Sequence, residues 1–258
     1  MSELQVAVND GLIMTWRNLK RVPRIPELAI FAILQSIMFV LLFAYVFGGA
    51  IPLPDGGSYR EYLMPGIYVQ TLGFASITTA IAVTDDMAKG LIDRFRSLPM
   101  ARSAVLSGRT VSDVIYNAGI LVVLMLSGLA VGWRVHGTVG EFFFACGLML
   151  FFTFAMAWIG VYIGLVVPSV EVGQQLGFLI IFPLTFASSA FVPVDSMPGW
   201  LQAFADVNPF TTMVDAMRAL WVDAPAGNDV WAAVAWSVGI TAVFSALSVA
   251  RYRRAISA

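Results

Sequence analysis

The sequence predicts an all-α integral membrane protein: six transmembrane helices, an N-terminal in-plane amphipathic helix, and short extracellular re-entrant helices between the fifth and sixth spans. Three observations predict it. Of 258 residues, 59% are hydrophobic and only 12% charged, against about 25% charged in a soluble domain, and the mean hydropathy is +0.82. That balance leaves too little polar surface to cover a water-facing globule. Six windows of at least 20 residues carry no charge: 28–54, 62–84, 114–133, 142–170, 172–194 and 230–250. Each is long enough for one helix, since about 20 apolar residues cross a hydrocarbon layer of roughly 30 Å. Finally, 12 of the 15 Lys and Arg residues fall on one side of such a bundle. Arg17, Lys20, Arg21 and Arg24 precede the first span. Lys89, Arg94, Arg96, Arg102 and Arg109 lie between the second and third, and Arg251, Arg253 and Arg254 follow the sixth. By the positive-inside rule both termini are expected in the cytoplasm.

The chain reads as a single transmembrane domain over 1–258. Residues 3–22 form its in-plane helix. Leu4, Val8, Leu12, Trp16 and Leu19 make an apolar stripe opposite Glu3, Asp10, Arg17, Lys20 and Arg21, the pattern of a helix lying at the membrane surface. Pro23 and Pro26 break it. The spans are expected at about 28–52, 62–84, 110–133, 142–167, 172–194 and 230–250. The first is too long for a signal-peptide core and is read as permanent. Pro168 and Glu171 separate the fourth span from the fifth, and Pro183 is expected to kink the fifth. The pairs Gly128/Gly132, Gly160/Gly164 and Gly173/Gly177 are read as close helix packing within the subunit. After the fifth span the chain carries five Asp against one Arg over 193–229. Ser196 is expected to cap one short helix with Pro198 just inside it, and Asn208 a second with Pro209 at its first position. Residues 196–222 therefore read as two half-helices dipping from the outer surface, too short to span.

The loop between the second and third spans holds a short amphipathic segment at 88–99. On a helix, Leu91, Ile92, Phe95 and Leu98 share one face, Lys89, Asp93, Arg94 and Arg96 take the other, and Pro99 ends it. A hydrophobic ridge with a charged flank suits a partner's groove; a charged loop that only enforces topology has the same composition.

Several chemistries are excluded. With one Cys (Cys146) and one His (His136), neither a disulfide nor a conventional Cys or His metal site can be assembled, and no metal is expected. No G-x-x-x-x-G-K-[ST] phosphate cradle is present. Asp113 and Glu141 are expected at span entrances, leaving the membrane interior without the carboxylates an ion-coupled carrier uses. A net charge of −1 argues against a nucleic-acid partner. Energy for transport would have to come from another chain.

Four stretches then look familiar: Phe39–Gly49 (FVLLFAYVFGG), Tyr62–Phe74 (YLMPGIYVQTLGF), Gly90–Asp113 (GLIDRFRSLPMARSAVLSGRTVSD) and Asn208–Leu220 (NPFTTMVDAMRAL). With them the chain resembles the permease subunits of ABC-2 type exporters, especially the daunorubicin/doxorubicin-resistance permeases. The DRFRSLP run is the most distinctive. Ser36 departs from the resemblance, in which Pro often follows the Gln of the first span. The resemblance implies the type V, ABC-2 exporter fold. It implies a separate cytoplasmic ATP-binding subunit in two copies, and a second permease that is either a copy or a related chain. ATP and Mg would sit on the ATPase, no cofactor on this chain, which would be no enzyme by itself. Residues 90–98 become the coupling helix, with Gly90, Leu91, Asp93, Arg94, Phe95, Arg96 and Leu98 as docking residues. The expected function is outward movement of an amphipathic drug (anthracycline-like) or a lipid across the plasma membrane. The first, second and fifth spans would contact it, with Gln35, Gln70, Thr71 and Phe74 as candidates. Export of a polysaccharide or other envelope component is the nearest alternative. An ion-independent secondary carrier or a channel is the alternative of another class.

Overall fold

The computed structural model describes residues 11–16, 18, 26–47, 58–89, 102–222 and 227–257, and among these there is no strand. Helix α1 (Pro26–Leu42) runs on into a π-helical turn, Phe43–Phe47. Then come α2 (Tyr59–Ala88), α3 (Arg102–Ala130), α4 (Val139–Val166) and α5 (Val170–Phe186). A 3-10 turn at Val194–Ser196 leads to two short helices, α6 (Gly199–Asp206) and α7 (Pro209–Trp221), and to the final α8 (Asp229–Ser257). Four of these, α2, α3, α4 and α8, are long and apolar enough to cross a membrane, while α1 and α5 contribute shorter apolar runs. The chain is a multi-pass, all-helical membrane protein.

Helix α2 is the centre of the bundle, packed on α4 and α5 and touching α3 and α7. Small residues permit this. A Cβ on Gly160 would lie 2.2 Å from the Ser76 carbonyl oxygen, and one on Gly164 would lie 2.7 Å from Val83 Cβ, so α4 approaches α2 backbone to side-chain root. On the other side Gly177 of α5 faces Ile77, and Gly173 faces Thr84. Two of the three small-residue pairs thus bring helices together inside the subunit. The third behaves differently. Gly128 makes room for the Tyr68 hydroxyl, but Gly132, at φ 97°, stops α3. The Gly132 N–H donates to Leu129 O at 3.2 Å and the Trp133 N–H to Gly128 O at 2.9 Å, the Schellman pairing that needs a left-handed residue. Trp133 then packs edge-on with Tyr68 and Trp221, at ring separations of 5.4 and 5.7 Å, and all three are fully buried.

Two local readings change. The fifth apolar window extends to residue 194, yet α5 ends at Phe186. Asn208 ends it: its Nδ2 donates to Leu184 O at 2.6 Å and to Ala187 O at 2.9 Å, satisfying carbonyls that a helix terminus leaves open. Its Oδ1 meanwhile accepts from the Phe210 N–H at 2.9 Å and starts α7, with Pro209 at the first position. One side chain closes one helix and opens another. Ser196, by contrast, caps no helix. Its Oγ donates to Pro193 O at 2.6 Å within the 3-10 turn, and α6 begins after Pro198. Helix α7 is only 13 residues long and almost wholly buried, against α8, α4 and α2.

Candidate binding cavity

A cavity of about 590 Å³ lies among α1, α2, α3 and α5. Gln35 of α1 and Gln70, Thr71 and Phe74 of α2, the four path candidates, all line it. Its walls differ in chemistry. One is aromatic: Phe178, Phe182 and Phe186 recur every four residues along α5 and so share a face. Their rings stack at 4.9 and 4.2 Å. The stack continues through Phe191 at 5.0 Å, crosses to Phe43 at 4.9 Å and reaches Phe39 at 5.7 Å. Six rings thus join α5 to α1 around the turn that follows Phe186, and Phe74 meets Phe178 edge-on at 6.0 Å.

Polar groups share the lining with these rings. Gln70 is 4% exposed, and its Oε1 has no hydrogen-bond partner. Asp113 and Asn117 of α3 also line the cavity. Helix α3 starts at Arg102, earlier than the span expected from 110, so Asp113 lies three turns into the helix. Its carboxylate sits 3.1 Å from Arg109 Nε and accepts from Thr79 Oγ1 at 2.7 Å, and Asn117 Nδ2 donates to its backbone carbonyl at 2.8 Å. Sequence reasoning missed both the phenylalanine ladder and the place of Asp113 in the cavity lining. The signals were there: phenylalanines at 178, 182 and 186, and Arg109, Asp113 and Asn117 at four-residue intervals along one face of α3.

Beyond Phe186 the turn of residues 187–193 is fastened to the Tyr59 end of α2. Arg218, 7% exposed, donates Nη2 to Ser189 O and Nη1 to Asp215 Oδ1, both at 2.7 Å, and Nε to Tyr62 O at 3.1 Å. Ser189 Oγ donates to Asp215 at 2.8 Å, while the Tyr62 and Tyr59 hydroxyls donate to Ser189 O and Phe191 O, each at 2.9 Å. At the opposite end of the bundle, α2 finishes at Ala88 and α3 begins at Arg102. The docking candidates Gly90, Leu91, Asp93, Arg94, Phe95, Arg96 and Leu98 lie between them, outside the described residues. Beside this end, residues 11–16 pack on α3: Thr15 Oγ1 donates to Gly108 O at 3.2 Å, and Leu12 and Trp16 remain exposed.

The model of the ABC-2 type transporter family matches residues 11–221, from the N-terminal helix through α7. The chain belongs to the ABC-2 type transporter family. It is 32% identical over 96% of its length, and 87% of the relative's, to the daunorubicin resistance ABC transporter permease protein DrrB1 of Streptomyces coeruleorubidus. It is 26% identical to the probable doxorubicin resistance ABC transporter permease protein DrrC of Mycobacterium tuberculosis, over 96% of this chain and 90% of that one. The probable multidrug ABC transporter permease YbhR of Escherichia coli K12 is 24% identical, over 77% of this chain and 54% of its own. This ABC-2 permease is therefore the transport subunit of an ABC exporter and works with an ATP-binding partner subunit. The family match covers every cavity-lining residue.

Proposed function

We propose that this ABC-2 permease moves an amphipathic drug (anthracycline-like) or a lipid outward across the plasma membrane, and that the cavity is where the cargo sits. The observation that carries the reading is the pairing of aromatic side chains, Phe74, Phe178, Phe182 and Phe186, with polar ones, Gln35, Gln70, Thr71 and Asn117, around a single space. A flat apolar molecule with polar substituents fits such a space, because stacked rings hold its faces and amides orient its edge. The relatives named for daunorubicin and doxorubicin resistance support that cargo class.

In this reading α1 to α5 and α8 are the six spans, both termini are cytoplasmic, and α6 and α7 re-enter from outside, α7 being shielded by protein as irregular membrane segments require. Residues 90–98 dock on the ATPase, which binds ATP and Mg and is present twice, with a second permease completing the transporter. ATP binding would favour one orientation of the permeases over the other, a population shift worth only what the docking contacts differ by in the two states. The test is accumulation of a fluorescent anthracycline in inside-out vesicles holding the permease with or without its ATPase. Uptake needing both ATP and the ATPase is expected. Uptake by the permease alone would point to a carrier or channel, and absence of uptake with the ATPase assembled and hydrolysing would remove this cargo class.

A further inference from the structure

Among the described residues that line the cavity, Asp113 is the one carboxylic acid, and none is basic. Its counter-ion does not take up the carboxylate fully. Arg109 sits one turn back along α3 and approaches through a single nitrogen, with Nε 3.1 Å from Oδ1 and 3.2 Å from Oδ2, instead of the two-pronged fork an arginine can offer. Thr79 supplies one further hydrogen bond, to Oδ2. A carboxylate accepts at about four lone-pair sites, so these contacts leave acceptor capacity on Asp113. Asn117, one turn further along α3, uses its Nδ2 on the Asp113 backbone carbonyl and leaves the carboxylate alone.

We propose that Asp113 selects cargo by charge: the carboxylate receives a protonated amine, or a cation that likewise donates hydrogen bonds, while the phenylalanine ladder holds the apolar remainder. This deepens the cargo reading of the cavity and rests on it. A neutral molecule of the same shape would keep the stacking and lose the charge-assisted bond, and an anion would meet the carboxylate first.

The experiment is equilibrium binding to the full-length permease in uncharged phosphatidylcholine nanodiscs. The probes are an anthracycline amine and its N-acetyl form, which keeps the rings and loses the charge. Wild type is expected to bind the amine at least about tenfold more tightly, the worth of a hydrogen bond to a charged group. Asp113→Asn, which leaves Arg109 uncompensated, should bring the amine to or below the acetylated form while binding of the latter persists. The double variant Arg109→Gln, Asp113→Asn removes both charges, serves if the single one does not assemble, and should bind the two forms alike. Equal binding of both forms by wild type overturns the proposal and leaves the cavity as the cargo site. Binding of neither form by folded wild type overturns the anthracycline reading as well. Parallel loss of both forms in both folded variants would make Asp113 a structural residue and also overturn the proposal.

Discussion

The guanidinium of Arg218 lies 3.5 Å from the ring centre of Tyr62, on a helix 156 residues earlier, and its Nε donates to the Tyr62 carbonyl. The same group holds Ser189 O and Asp215. Three segments therefore share one cation at the Tyr59 end of α2. Arg218→Lys keeps the charge but loses the planar fork and the stacking. It should lower stability by about 2–3 kcal/mol, read as an earlier thermal transition in detergent. A transition at the wild-type temperature would show that the turn after α5 is held by other contacts.

The glycines of α4 separate close packing from simple permissiveness. Gly160→Val should prevent correct assembly, because even a Cβ there would lie 2.2 Å from the Ser76 carbonyl oxygen. Gly147 on the same helix has nothing within 4 Å of its missing Cβ, so Gly147→Ala should be tolerated and gain roughly 0.5–1 kcal/mol of helix propensity. Size-exclusion profiles of the two variants check the pair. A monodisperse Gly160→Val protein would refute the α2–α4 interface as drawn.

Within the ladder, Phe182 stacks on Phe178 at 4.9 Å and on Phe186 at 4.2 Å while remaining 39% exposed. Phe182→Ala should leave the fold intact and weaken anthracycline binding roughly tenfold, the worth of one to two aromatic contacts. Phe182→Leu should fall in between, since it keeps apolar area without the ring. Fluorescence titration distinguishes the three proteins, and unchanged affinity in Phe182→Ala would remove the ladder from the binding wall.

The docking segment makes its own prediction. Phe95→Ala combined with Arg96→Ala takes away a ridge residue and a flanking charge. Membrane insertion should persist, while ATP hydrolysis by the assembled complex no longer drives vesicle uptake. Normal uptake by that double variant would refute the coupling role of residues 90–98.

The two halves of this molecule were legible to different degrees, for physical reasons. Long charge-free windows announce helices because a bilayer imposes length and polarity on each one separately, as α2, α3, α4 and α8 show. Asn208 with Pro209 announced α7 because a cap acts on the residues next to it. The other role of Asn208 was invisible: it ends α5 through Leu184 O and Ala187 O, more than 20 residues upstream. No local rule reports a contact formed only after the chain has folded back. Gln35, Gln70 and Thr71 come together because polar groups on apolar helices turn towards one another and away from lipid, and Phe74 follows Gln70 by one turn of α2. The aromatic wall needed the three-dimensional path of the turn at 187–193, which alone carries the stack from Phe186 to Phe43.

Helix α5 has 17 residues and so reaches only about 25 Å, against a hydrocarbon layer of roughly 30 Å. With α5 as the fifth span proposed above, the lipids bordering it would be compressed, because a short apolar segment is accommodated by local thinning of the bilayer. The phenylalanine ladder runs along this same helix. A molecule partitioned at the headgroup boundary would then meet the aromatic face where the two leaflets are drawn closest together, and thicker bilayers should slow export without any change in the protein.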